Sequence, residues 1–81
     1  MVQMSLQPYR NLNGNSGVSE YEIGPDYIRV RFTGATIYVY NHARSGAHHV
    51  DQMKLLAAAG RGLATYISRH VKDAYAYAES P

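Results

Sequence analysis

The chain has 81 residues, no cysteine, and eight basic against six acidic groups, a formal charge of +2. That length supplies one domain, and without thiols neither a disulfide framework nor a thiolate zinc site can staple it. The opening MVQMSLQPYR lacks a basic stretch followed by an apolar one, and the longest wholly apolar run is Leu55 to Ala59; secretion and membrane spanning are therefore not expected, and a cytoplasmic location is the default.

Met1 to Gly17 is polar and rich in turn formers, with no apolar period that would bury it, and reads as a flexible arm. The folded domain is expected over 18–77, with 78–81 as a tail. From Val18 to Tyr40 two turns join three alternating strands. In YIRVRFT, Ile28, Val30 and Phe32 part from Arg29 and Arg31, and in TIYVY, Ile37 and Val39 part from Tyr38 and Tyr40. Pro25 fits the fixed φ of a tight turn, and a two-residue loop at Pro25-Asp26 pairs Ile23 with Ile28 and Tyr21 with Val30. The same register sets Glu22 opposite Arg29 and Glu20 opposite Arg31, so the apolar and charge matches agree. For the second hairpin, Gly34-Ala35 fits a glycine-first turn that pairs Phe32 with Ile37 and Val30 with Val39, placing Arg31 opposite Tyr38 and Arg29 opposite Tyr40. A sheet with one aliphatic face and one Arg/Tyr face is the expectation.

Asn41 to Ala47 reads as a loop, after which the period changes. Val50, Met53, Leu56 and Ala57 mark a helix over about 49–59 that ends at Gly60. Leu63, Tyr66, Ile67, His70, Val71, Ala74 and Tyr75 mark a second over about 63–75, with Thr65, Arg69 and Lys72 on its outer side and His70 bordering the core. The fold class is α+β: a three-stranded antiparallel β-meander followed by two short helices packed on one face, βββαα. The expected core is Ile23, Ile28, Val30, Phe32, Ile37, Val39, Val50, Met53, Leu56, Leu63, Ile67 and Val71. So small a core leaves room for a homodimer to add burial.

No reaction is written in these residues. His42, His48 and His49 lack the cysteines, HExxH spacing or paired carboxylates that accompany metal sites, and a site from His42, His48 and Asp51 is the most that could be assembled. Ser45 has no strand-turn-helix elbow around it and reads as a turn or cap. Gly60-Arg61-Gly62 lacks the spacing and the Lys-Ser/Thr of a phosphate loop and reads as a helix-helix corner. No catalytic residue, metal or cofactor is assigned. Recognition remains. Residues 27–72 carry seven basic groups against Asp51 alone, a balance that suits nucleic acid or another acidic partner. Arginines hold phosphates and tyrosines stack bases, so Arg29, Arg31, Tyr38 and Tyr40, extended by His42 and Arg44, form the expected contact surface. Arg61, Arg69 and Lys72 on the helical side are the second choice.

The Ile28–Phe32 strand, the Ile37–Tyr40 strand and the Gly60-Arg61-Gly62-Leu63, Tyr66-Ile67, Val71 and Tyr75 end together resemble the KTSC domain, named from the C-terminal part of some lysyl-tRNA synthetases and also found alone in bacterial and phage proteins. The resemblance covers about 55 of the 81 residues. It departs from the usual pattern at the corner before the last helix, where Ala59-Gly60-Arg61-Gly62 replaces a Ser-Lys-Gly-like sequence. It implies a βββαα fold and an accessory or RNA-associated role, without a catalytic activity. The function expected is a non-enzymatic binding module with nucleic acid, RNA above all, as partner; the alternative is a protein-protein interaction module, such as a phage-type inhibitor of a host or defence protein.

Overall fold

The computed structural model describes residues 6–12, 14, 17–34 and 36–79. The strands are β1 (Gln7–Pro8), β2 (Val18–Ile23), β3 (Tyr27–Phe32), β4 (Ile37–Asn41) and β5 (Tyr77–Glu79). They form one antiparallel sheet in the order β1-β2-β3-β4-β5. Between β4 and β5 lie α1 (His42–Ser45), α2 (Ala47–Ala59) and α3 (Leu63–Tyr66), which runs on into a π-helical turn over Ile67–Val71. The α+β class and the meander stand, with five strands among the described residues instead of three. No helix among the described residues is long and apolar enough to cross a membrane.

The first hairpin has the register its charges and apolar residues dictate: Ile23 opposite Ile28, Glu22 opposite Arg29, Tyr21 opposite Val30 and Glu20 opposite Arg31. Gly24 N–H donates to the Tyr27 carbonyl at 2.9 Å and closes the turn. The second hairpin is displaced by one residue from the expected pairing. Arg31 faces Ile37, Val30 faces Tyr38, Arg29 faces Val39 and Ile28 faces Tyr40. A one-residue step moves every side chain of a strand to the other face, so Tyr38 and Tyr40 lie on the helix-covered side while Ile37 and Val39 share the open side with Arg29 and Arg31. An odd connection in which Gly34 adopts φ 115° replaces the two-residue turn. Its physical return is burial: Tyr40 is only 1% exposed, and an aromatic ring covers more apolar surface against a helix layer than the valine it displaces.

The core lies between the inner sheet face, with Val18, Tyr21, Ile28, Val30 and Tyr40, and the helices, with Val50, Met53, Ala57, Leu63, Ile67 and Val71. On α2 the buried Val50, Met53 and Ala57 recur at helical spacing. Of the expected core, Phe32, Ile37 and Leu56 are half-buried, Ile23 is exposed, and Val39 is buried on the opposite face.

The described part of the expected N-terminal arm belongs to the fold. Gln7 and Pro8 pair with Tyr21 and Glu20, and Tyr9 is buried, its ring edge-on to Tyr21 at 6.5 Å. The Tyr9 hydroxyl accepts from the Leu63 N–H at 3.3 Å, satisfying an amide at the start of α3. Beyond it, Arg10 Nη2 donates to the Ala58 carbonyl at 2.6 Å and Leu12 N–H to the Gly60 carbonyl at 2.7 Å. A cation on the last carbonyls of α2 complements the helix dipole. The rest of the arm, at 1–5, 13, 15 and 16, lies outside the described residues. At the other end, Tyr77–Glu79 is a strand on the β4 edge rather than the start of a tail. The expected 41–47 loop is largely α1, capped by Asn41 Oδ1 accepting from Arg44 N–H at 2.8 Å. The second long helix ends at Val71 instead of about 75.

Candidate functional site

Helices cover one side of the sheet, and the open side carries an ion ladder. Arg29 lies between Glu22, to which Nη1 donates, and Glu79, whose Oε1 accepts from Nε at 3.1 Å and from Nη2 at 2.5 Å. Glu22 is 3% exposed and also accepts from the Tyr27 hydroxyl at 2.9 Å. The Glu79 hydrogen bond, with Glu22 behind it, holds the Arg29 guanidinium above its ordinary pKa against the opposing effect of burial. Arg31 Nη1 donates to Glu20 at 2.7 Å. The face therefore has three carboxylates for two guanidiniums, each arginine already partnered. A hollow of about 420 Å³ opens beside Tyr27, Arg29, Val39 and Tyr77, but its cation is the one between two acids.

Six basic groups remain: Arg10, Arg44, Lys54, Arg61, Arg69 and Lys72. Among the described residues none of them is ion-paired. Arg10 and Lys54 are tied to main-chain carbonyls, Lys54 to that of Pro25 at 3.1 Å. Arg44 is exposed on α1. Arg61, in the turn before α3, and Thr65, Arg69 and Lys72, along α3 and the π turn, are all exposed. Asp51 and Asp73 are the only acids that are neither on the open sheet face nor in its β2–β3 turn. The net positive charge of the chain is thus a property of its helical side.

Beside Lys72 is a groove of about 380 Å³. Phe32, Tyr38 and Tyr75 wall it, Tyr40 lies at its base, and Ser68 and Lys72 of the helix stand along it. The rings meet edge to face, Phe32 to Tyr38 at 5.7 Å and Tyr38 to Tyr75 at 4.9 Å. Burial pushes the Tyr40 hydroxyl pKa well above that of a free tyrosine, with the neighbouring Tyr38 and Tyr75 adding to the rise. The groove exists because β4 has the phase it has.

The expected contact set is therefore divided. Arg29 and Arg31 are in the ladder, Tyr38 and Tyr40 are on the opposite side of the sheet, and Arg44 is on α1. His42 begins α1 with Nε2 at 3.8 Å from Asp51; that nitrogen is buried and makes no hydrogen bond. The second-choice residues Arg61, Arg69 and Lys72 are all exposed, and Lys72 lines the aromatic groove. Ser45 is buried, its hydroxyl donating to the Ala74 carbonyl at 2.5 Å, which fastens α1 to the segment leading into β5. His70 is exposed instead of bordering the core; it stacks on His49 at 5.7 Å, while His49 Nδ1 is 2.7 Å from the Tyr66 hydroxyl. Among the described residues no group of three or more histidines and carboxylates is arranged to hold a metal ion. Two participants escaped the sequence reading, Tyr75 and Glu79. The alternation Ala74-Tyr75-Ala76-Tyr77-Ala78-Glu79 is the available signal, a period of two that begins where the expected helix over about 63–75 ends.

Compared with models of known families, with curated proteins and with solved structures, the chain matches none of them.

Proposed function

We propose that this chain is a non-enzymatic module that binds nucleic acid through its helical side, with Arg61, Arg69 and Lys72 as the phosphate contacts. One observation carries the reading: three of the six acids lie on the open sheet face, where they pair both of its arginines, and three of the six cations without an ion pair, Arg61, Arg69 and Lys72, are exposed in the segment of α3 and the π turn. An unpaired cation costs nothing extra to hand to a phosphate, whereas Arg29 would first have to leave two carboxylates.

The test is anisotropy of a labelled single-stranded RNA titrated with the protein between 50 and 200 mM salt. Three phosphate contacts at about 0.7 each predict a slope of log K against log salt near −2, or a roughly twentyfold loss over that range. Arg69→Glu with Lys72→Glu should abolish most of the affinity, and Arg31→Gln should leave it unchanged. Equal losses from both variants would return the contact to the sheet face. No binding, together with capture of a protein that survives nuclease treatment, would favour a protein-interaction module instead.

A further inference from the structure

Resting on that reading, we infer that the aromatic groove beside the π turn receives an unpaired nucleobase, so that the helical side selects single-stranded over duplex nucleic acid. The groove has a volume of about 380 Å³, within the range of small-molecule sites. Its walls are the half-buried rings of Phe32, Tyr38 and Tyr75, which offer π surface to any base regardless of sequence. Besides the tyrosine hydroxyls, the polar side chains lining it are Ser68, Lys72 and Asp73. Lys72 belongs to the phosphate contacts as well as to the groove, so a strand held by Arg69 and Lys72 has its base adjacent to the rings. Asp73 is the one acid there, an acceptor for base N–H groups set against two cations that hold the backbone. A base in a duplex is stacked and paired and does not reach such a slot. The helix supports this role locally, because Ser68 and Lys72 both fall in the π turn Ile67–Val71, or directly after it, and such turns recur at binding sites.

Three labelled ligands of equal length separate the contributions: a single-stranded RNA, the same sequence as a duplex, and an abasic strand that keeps the phosphates but has no bases. The single strand should bind more tightly than the abasic strand by roughly 5- to 150-fold, the range that one stacked base supplies. Ser68→Trp, an exposed position from which an indole can fill the groove without removing core atoms, should bring the single strand down to the abasic level and leave abasic binding as it was. Tyr38→Ala, with its fold checked by circular dichroism, should act in the same direction. Equal affinity for intact and abasic strands, or no effect of Ser68→Trp, overturns the base slot while the electrostatic reading stands. Failure of all three ligands to bind overturns both.

Discussion

Arg29→Met tests whether the open sheet face is a structural ladder. The guanidinium is 20% exposed and lies between Glu22, at 3%, and Glu79, at 35%. Methionine keeps much of the stem over the sheet but leaves the Glu22 carboxylate with the Tyr27 hydroxyl, at 2.9 Å, as its remaining side-chain hydrogen bond among the described residues. Removing one partner of a fully buried pair costs about 3–5 kcal/mol; partial exposure of Arg29 and the retained tyrosine bond place this case near the lower end, about 3 kcal/mol. A chain of this length has a total stability of only about 4–12 kcal/mol. In urea, with a slope of about 1.5 kcal/mol/M, the midpoint should fall by about 2 M. Adding Glu22→Leu should restore at least half of that loss, because the cost arises from a buried charge left without its counter-charge and not from missing contact area. A shift below about 0.5 M, or no recovery in the double variant, would mean that the pairs behave as solvated surface ions worth about 0–1 kcal/mol. Arg29 would then be as free for a ligand as the helical cations.

Two further perturbations probe the fold around the groove. Burial raises the pKa of the Tyr40 and Tyr27 hydroxyls, so the folded state holds those protons more tightly than the unfolded chain does: their stabilisation is complete below about pH 10 and is lost as pH rises beyond it. Tyr40→Phe should flatten the alkaline fall in urea stability while changing it by less than about 1 kcal/mol at pH 7, and an unchanged alkaline profile would contradict the buried hydroxyl. Gly60 closes α2 at φ 79°, and an added Cβ would stand 2.8 Å from Arg10 Cβ. Gly60→Ala should therefore cost at least about 1–2 kcal/mol and lower Tm by roughly 5–15 °C; a fall below about 3 °C would show that the corner adjusts freely.

The first hairpin was legible because three signals coincided there. The Pro25-Asp26 turn, the Ile23–Ile28 and Tyr21–Val30 pairs, and the Glu22–Arg29 and Glu20–Arg31 pairs all require one register. Nothing similar pins the second hairpin. Both phases of Ile37-Tyr38-Val39-Tyr40 put two large apolar groups inward, and tyrosine is content on either face, so only the packing of Tyr38 and Tyr40 against the helical layer and Tyr75 decides. The N-terminal segment escaped for a different reason. A single anchor, Tyr9, has no period, and its value lies in a contact with Leu63 that is 54 residues away. At the C-terminus, β5 gains its place from one ion pair and three residues of ladder, too little for a composition-based reading to find.

The one-residue phase of β4 also decides which face of the sheet carries Tyr38 and Tyr40. With Tyr38 and Tyr40 pointing outward, the arginines of β3 would have had aromatic neighbours and one acid each, a surface suited to stacking bases on cations. In the structure Val39 takes the place beside Arg29, and β5, paired to the far edge of β4, brings Glu79 to the same guanidinium. The open face thereby acquires a second acid for its most buried cation and loses both of its tyrosines. Those tyrosines line the groove on the helical side, together with Lys72, a cation without an ion pair among the described residues. Aromatic surface and a cation without an ion pair thus lie together on the opposite side of the molecule, which is why the proposed nucleic-acid contact is placed there and not on the sheet face.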